Sequence, residues 1–150
     1  MSESNWDGIL ATAAEEVLET MFFTSIYGPG ACAQDAEPRL AAQLVFEGTP
    51  CGALTLSVAE PSAQSLASNF LAAECDERLP AAQLGAVVCE LANMICGALL
   101  SRVESETHFR LSKPELLEAG AAYPEGPANQ SLDLGDGTLD LWLRLENHAG

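Results

Sequence analysis

The sequence predicts an α+β fold in which two long helices pack on an antiparallel sheet. In residues 80–103, apolar side chains recur at three- and four-residue steps, which is typical of an amphipathic helix. Elsewhere, short runs alternate between apolar and polar residues, as strands do. A helix followed by a strand pair occurs in each half of the chain. This repeated order predicts one pseudo-twofold domain spanning residues 1–150.

The first half contains the first long helix and the first strand pair. Apolar spacing predicts a helix over residues 8–23, with Asp7 as its N-cap. Glycine and proline then predict a loop that begins near Gly28 and reaches about Pro38. Strands are predicted over 40–46 and 52–58, and a shorter helix over 61–73.

The second half repeats this order. The long helix of residues 80–103 is entered through Pro80, a residue that suits the first turn of a helix. A strand over 107–111 is predicted to stop at Pro114, and residues 123–127 form a loop. Residues 131–134 and 138–146 are predicted to form a hairpin, because alternate positions of the last segment are all leucine.

Charge and cysteine content restrict the partners and the compartment. The chain carries 22 acidic against 6 basic residues, a formal net charge of −16, so neither nucleic acid nor an anionic membrane is an expected partner. The acidic N-terminus does not resemble a signal peptide, and no uncharged apolar run is long enough to span a bilayer. Five cysteines without a C-x-x-C pair indicate reduced thiols. We therefore expect a cytoplasmic protein.

The side of the second long helix that faces away from the predicted core has an unusual composition. Ala86, Glu90, Asn93 and Gly97 fall within a sector of about 60° at 100° per residue. Only Glu90 and Asn93 project from this face, and its small residues would let another surface approach closely. We interpret it as a partner-binding face. The alternatives are an ordinary Glu–Asn surface pair and a core helix packed on Gly97.

Other common catalytic arrangements are not apparent in the sequence. There is no phosphate-binding glycine loop, and His108 and His148 lack the ligand spacing of a zinc site, so no metal site is predicted. Cys89 and Cys96 are interpreted as small buried residues rather than nucleophiles. An amide and a carboxylate side by side suit a different task. The amide can orient a water molecule toward a phosphoryl group whose metal belongs to another protein, and the carboxylate can hold a cation of that protein.

Several segments resemble a known family at this point. Residues 90–97 read ELANMICG, Pro114 follows about twenty residues after Asn93, residues 16–21 read EVLETM, and the chain closes with an alternating strand. Together these resemble the CheX/CheC/FliY family of chemotaxis phosphatases, over about residues 9–146. Members of this family remove phosphate from the phospho-aspartate of CheY-type response regulators.

The resemblance implies an enzyme, a hydrolase, with roles for individual residues. Asn93 would position the attacking water, and Glu90 would pair with the active-site Lys of a phosphorylated CheY-like regulator. Ala86, Gly97 and Pro114 are the other residues expected to contact that partner. Mg²⁺ is expected on the regulator, and this chain is expected to bind no cofactor.

Two further expectations follow from the resemblance. Two-site members carry a second E-x-x-N in the first helix, but here Glu19 stands three residues after Glu16, so one site is expected. CheX-like members also form dimers through sheet edges, and the last strand is a candidate for such a contact.

One position departs from the family pattern. Asp or Ser usually stands four residues before the Glu, and this chain has Ala86 there. Two alternatives therefore stay open. The chain would either bind a regulator without turnover, or serve as a structural component of chemotaxis or the flagellar switch that uses the sheet edge.

Overall fold

The computed structural model describes residues 3–28, 39–48, 51–71, 79–103, 109–117, 128–135 and 137–146. These residues form three helices and six strands. In chain order they are α1 Glu3–Met21, β1 Arg39–Glu47, β2 Cys51–Ala59, α2 Glu60–Leu71, α3 Ala81–Ser101, β3 Arg110–Leu111, β4 Glu115–Leu117, β5 Gln130–Asp133 and β6 Thr138–Glu146.

All strand pairs are antiparallel, in the order β3-β1-β2-β6-β5, with β4 also paired to β1. The two predicted hairpins, β1–β2 and β5–β6, meet through their second strands, where Leu54 is opposite Leu143. Each hairpin follows a long helix. The α+β fold and its pseudo-twofold plan are thus confirmed.

One face of the sheet packs against the helices. The alternating positions Leu44, Leu54 and Leu141 point to this side and are buried with α1 and α3 residues such as Leu18 and Ile95. Burial of this continuous apolar layer is the main stabilising term of such a domain. It also decides which side of each long helix remains outside.

The other face of the sheet holds a buried polar cluster. The guanidinium of Arg39 lies 3.3 Å from a carboxylate oxygen of Asp140 and donates hydrogen bonds to Ser57 and Thr138. The hydroxyl of Ser131 donates to the second carboxylate oxygen of Asp140. Because each charge has a partner, this cluster connects β1, β2, β5 and β6 without leaving a buried ion unpaired.

Helix α1 begins five residues earlier than predicted, so the prediction of Asp7 as N-cap is wrong. Trp6 is buried, and it extends the apolar stripe of Leu10 and Ala13 by one turn toward the N-terminus. Asp7 lies inside the helix, where its side chain accepts a hydrogen bond from Asn129 at 3.1 Å. The helix ends at Met21, before Phe23, whose φ of 50° is left-handed.

The region around Pro114 differs from the prediction. Strand β3 contains only two residues; of the other predicted strand positions, Phe109 is not in a strand, and 107 and 108 lie outside the described residues. Pro114 does not end strand structure here, since β4 begins at the next residue and pairs with Ala41, Ala42 and Gln43. A proline is tolerated next to an edge strand, because no inner ladder needs its missing N–H. The predicted loop at 123–127 and most of that at 28–38 also lie outside the described residues.

Strand β6 is partly interior. Its residues 139–141 pair with both β2 and β5, whereas beyond Leu141 the described pairing is with β2 alone. A sheet-edge contact through β6 is therefore limited to its second half. The homodimer stays a prediction.

Helix α3 is apolar enough to cross a membrane by length and composition, with a mean hydropathy of 1.8 over an 18-residue window. In the structure, 56% of that window is buried inside the protein. The core helix of a soluble domain passes the same composition test, and the contacts of α3 with β1, β2 and α1 place it in this core.

Candidate functional site on helix α3

The outer face of α3 is the one predicted from the helical spacing. Ala86 and Glu90 are exposed, and Asn93 and Gly97 are half-buried, whereas Leu91 between them is fully buried. The four residues are therefore brought together on one accessible strip. Helical geometry places Ala86 and Glu90, and likewise Asn93 and Gly97, one turn apart.

The side chains of Glu90 and Asn93 make no hydrogen bond or ion pair with any residue that the structure describes. The alternative of an ordinary surface pair between them is thus not realised. The carboxylate and the amide could hydrogen-bond to each other, but both remain available to a group from outside the chain. An unbonded carboxylate and an unbonded amide, one turn apart, can receive a cation and a water molecule from outside the chain.

No described helix packs against Gly97. A Cβ atom built on it meets no described atom within 4 Å. The alternative of a core helix packed on Gly97 is therefore not realised among the described residues. The missing side chain of Gly97 leaves open space beside Asn93, which is what an approaching partner requires.

The close contact occurs instead at Gly85, a residue that sequence reasoning missed. A Cβ atom on Gly85 would lie 2.9 Å from the Cδ2 atom of Leu116 in β4. A glycine inside a helix costs about 1 kcal/mol relative to alanine, and this cost is the signal that could have pointed to a contact here. Pro114 is half-buried two residues before Leu116. Whether Pro114 contacts a partner stays a prediction.

Helix α1 presents the pseudo-symmetric counterpart of the α3 face. The exposed Glu16 is followed by buried Val17 and Leu18 and then by exposed Glu19, much as exposed Glu90 is followed by two buried residues and then by half-buried Asn93. Glu16, however, forms an ion pair with Arg102 at the end of α3. A second Arg102 nitrogen donates to the Ala98 carbonyl at 3.1 Å. The two helices therefore differ in two respects. Helix α1 lacks the amide, and its first glutamate already has a cationic partner.

The cysteines of α3 are unsuited to nucleophilic attack. Burial raises the pKa of the Cys96 thiol to about 12, and it also raises the pKa of the half-buried Cys89 thiol. Both therefore remain neutral thiols at physiological pH, as the interpretation of small buried residues requires. Among the residues that the structure describes, no group of three or more His, Cys, Asp or Glu is placed to hold a metal ion.

We predict that Cys96 resists alkylation in the folded protein. A thiol with an ordinary pKa is about one quarter ionised at pH 8, whereas one with a pKa of about 12 is almost fully protonated. Iodoacetamide at pH 8 should modify Cys96 at least about 100-fold more slowly in native protein than in urea, as followed by mass spectrometry of its peptide. Equal rates in the two conditions would contradict this assignment.

Solved structures of related proteins share this architecture. Chemotaxis protein CheX from Vibrio vulnificus is 16% identical, with a TM-score of 0.74 over 97% of this chain and 99% of that chain. A CheX–CheY–BeF3–Mg²⁺ complex from Borrelia burgdorferi gives 15% identity and a TM-score of 0.75 over 95% and 98% of the two chains. A CheC-like superfamily protein from a Shewanella species gives 20% and 0.71, over 98% and 100%. At these identities, the similarity shows the fold alone.

Sequence comparison identifies the family. No curated protein sequence matches this chain significantly. The family model described as chemotaxis phosphatase CheX, in contrast, matches residues 40–129, which is more than half of the 150 residues and includes the whole of α3. The chain therefore belongs to the CheX family of chemotaxis phosphatases.

Proposed function

We propose that this protein hydrolyses the phospho-aspartate of a CheY-type response regulator, with the outer face of α3 as the docking surface. The observation that carries the proposal is the pair of unbonded side chains, Glu90 and Asn93, on an accessible strip of small residues. The Borrelia burgdorferi relative was crystallised with CheY, BeF3 and Mg²⁺, which supports the class of partner.

Asn93 acts by positioning water. Its amide oxygen accepts a hydrogen bond from the water, and its amide N–H donates one to a neighbouring oxygen atom. The water oxygen is thereby held in line with the bond between the phosphorus and the aspartate oxygen. As the water adds, the bond between phosphorus and the aspartate oxygen breaks. The products are inorganic phosphate and a free carboxylate. No covalent intermediate forms on this chain, in keeping with the absence of an activated nucleophile on this face.

Glu90 acts by fixing the position of the bound regulator. Its exposed carboxylate pairs with the active-site Lys of the regulator, and the contact becomes desolvated when the two surfaces meet. Mg²⁺ remains on the regulator, where it neutralises charge on the phosphoryl group. One regulator binds per chain, because on α1 the corresponding Glu16 is paired with Arg102 and Glu19 replaces the amide.

The proposal is tested by the lifetime of the phosphorylated regulator. A cognate CheY-type protein is phosphorylated with a small-molecule phosphodonor, the donor is removed, and phosphate release is followed with and without substoichiometric amounts of this protein. We expect the lifetime to shorten with multiple turnovers. If binding occurs but the lifetime is unchanged for every cognate regulator, the alternative of a binding module without turnover is correct.

Ala86 offers a further prediction about the level of activity. A side chain at this exposed position lies one turn before Glu90, so a hydroxyl there can contact the glutamate or the docked partner. We expect Ala86→Ser to raise the dephosphorylation rate, at a cost in stability of about 0.5 kcal/mol. An unchanged rate would mean that Glu90 and Asn93 are sufficient. Binding without turnover in both proteins would support the binding-module alternative.

A further inference from the structure

Leu116 in β4 is a large apolar side chain that remains 47% exposed although it points toward the helical side of the sheet. Its backbone partner in β1 is Ala42, a fully buried core residue. The register would place Leu116 in the same layer. β4 is a short strand beside β1, and its main contacts among the described elements are with β1 and with the flank of α3, which leave part of Leu116 uncovered.

The contact with Gly85 shows which part of α3 the Leu116 side chain reaches. The Cδ2 atom of Leu116 would be 2.9 Å, and its Cδ1 atom 3.7 Å, from a Cβ atom on Gly85. Gly85 immediately precedes Ala86, and on a helix it lies one turn before Cys89. The leucine therefore lies on the flank of α3, near the N-terminal end of the strip that contains Ala86, Glu90 and Asn93. Ala82, which lies between this flank and the strip, is short and exposed, so a partner docked on the strip could also reach Leu116.

We propose that Leu116 is an apolar anchor for the docked response regulator, placed there by Gly85. This inference rests on the proposed function and names a residue that determines affinity rather than chemistry. Its occupant is an apolar surface of the regulator next to the phosphorylated aspartate. A leucine that is 47% exposed, on the flank of the helix that carries the Glu–Asn pair, can supply apolar buried area to the same interface, in which a few residues provide most of the affinity.

Other exposed apolar side chains of the described residues lie elsewhere. Met21 is at the end of α1, Phe23 and Tyr27 are in the segment that follows it, Leu71 is at the end of α2, and Val45 is on the face of the sheet opposite the three helices. Leu71 is 44% exposed and is also a leucine. It therefore serves as a matched control with the same chemistry and nearly the same exposure.

The test measures the affinity for a CheY-type regulator activated with beryllofluoride and Mg²⁺. We expect Leu116→Ala to raise Kd by about five- to twentyfold, whereas Leu71→Ala leaves it within about twofold of wild type. In the phosphatase assay, Leu116→Ala should raise KM and leave kcat unchanged, because the residue does not touch the reacting atoms. Thermal unfolding confirms that both variants are folded.

Gly85→Ala is a second, independent variant. The added methyl would displace the end of Leu116 without removing it, so Kd should rise although the leucine is still present. The inference is overturned if Leu116→Ala binds as tightly as wild type while Glu90→Gln binds more weakly. If Glu90→Gln also binds like wild type, it is the proposed docking face that fails.

Discussion

Replacing Asn93 with alanine is expected to abolish the acceleration of regulator dephosphorylation, with a loss of about 100-fold or more in kcat. The amide would be the group that orients the attacking water, and alanine offers neither a donor nor an acceptor. The fold should be unaffected, because the side chain is half-buried and bonds to none of the described residues. The measurement is phosphate release under single-turnover conditions, with the regulator bound to the variant.

Gln83→Ala provides the control for this variant. Gln83 is an exposed amide on the same helix, nearly three turns before Asn93, so its loss has the same chemical character at a different place. We expect wild-type rates for Gln83→Ala, and an affinity for the regulator within about threefold of wild type for Asn93→Ala. An Asn93→Ala protein that retains turnover would exclude Asn93 as the water-positioning residue.

Replacing Glu90 with glutamine is expected to weaken binding of the activated regulator by at least about tenfold. The substitution keeps the size of the side chain and removes the charge that pairs with the regulator's Lys. Loss of one partner from a charge pair that is desolvated in a complex typically costs about 2 kcal/mol or more. Isothermal titration calorimetry with the beryllofluoride-activated regulator measures the effect directly. Saturated enzyme should retain much of its turnover, because the amide is still present.

The Glu19→Gln variant distinguishes the loss of a specific ion pair from the loss of one negative charge elsewhere on the acidic surface. Both variants change the net charge of −16 by the same amount, and both glutamates are exposed on a long helix. Long-range steering should therefore change equally in the two proteins. We expect a wild-type Kd for Glu19→Gln. Equal affinities of wild type and Glu90→Gln would contradict the role of Glu90, and equal weakening of both variants would indicate that only net charge matters.

Most of the architecture was predictable, because it follows from periodicities that are local in sequence. The three- and four-residue spacing of α3 determined which residues, from Leu84 to Leu99, face the core, and so left Ala86, Glu90, Asn93 and Gly97 outside. The two-residue alternation of β6 likewise determined which leucines pack against the helices. The candidate site is thus a consequence of helical geometry and is readable without any knowledge of neighbouring elements.

The neighbours of these faces, in contrast, follow from how the helices and strands pack together. The tertiary structure showed that Glu16 is paired with Arg102 whereas Glu90 has no partner among the described residues, and that the glycine in close contact is Gly85 rather than Gly97. It also placed Leu116 against Gly85, on a strand that directly follows Pro114 and that was not predicted. Each of these facts depends on a contact between residues that are distant in sequence. Such a contact is set by how the helices and strands pack together, and it cannot be predicted from helical or strand periodicity.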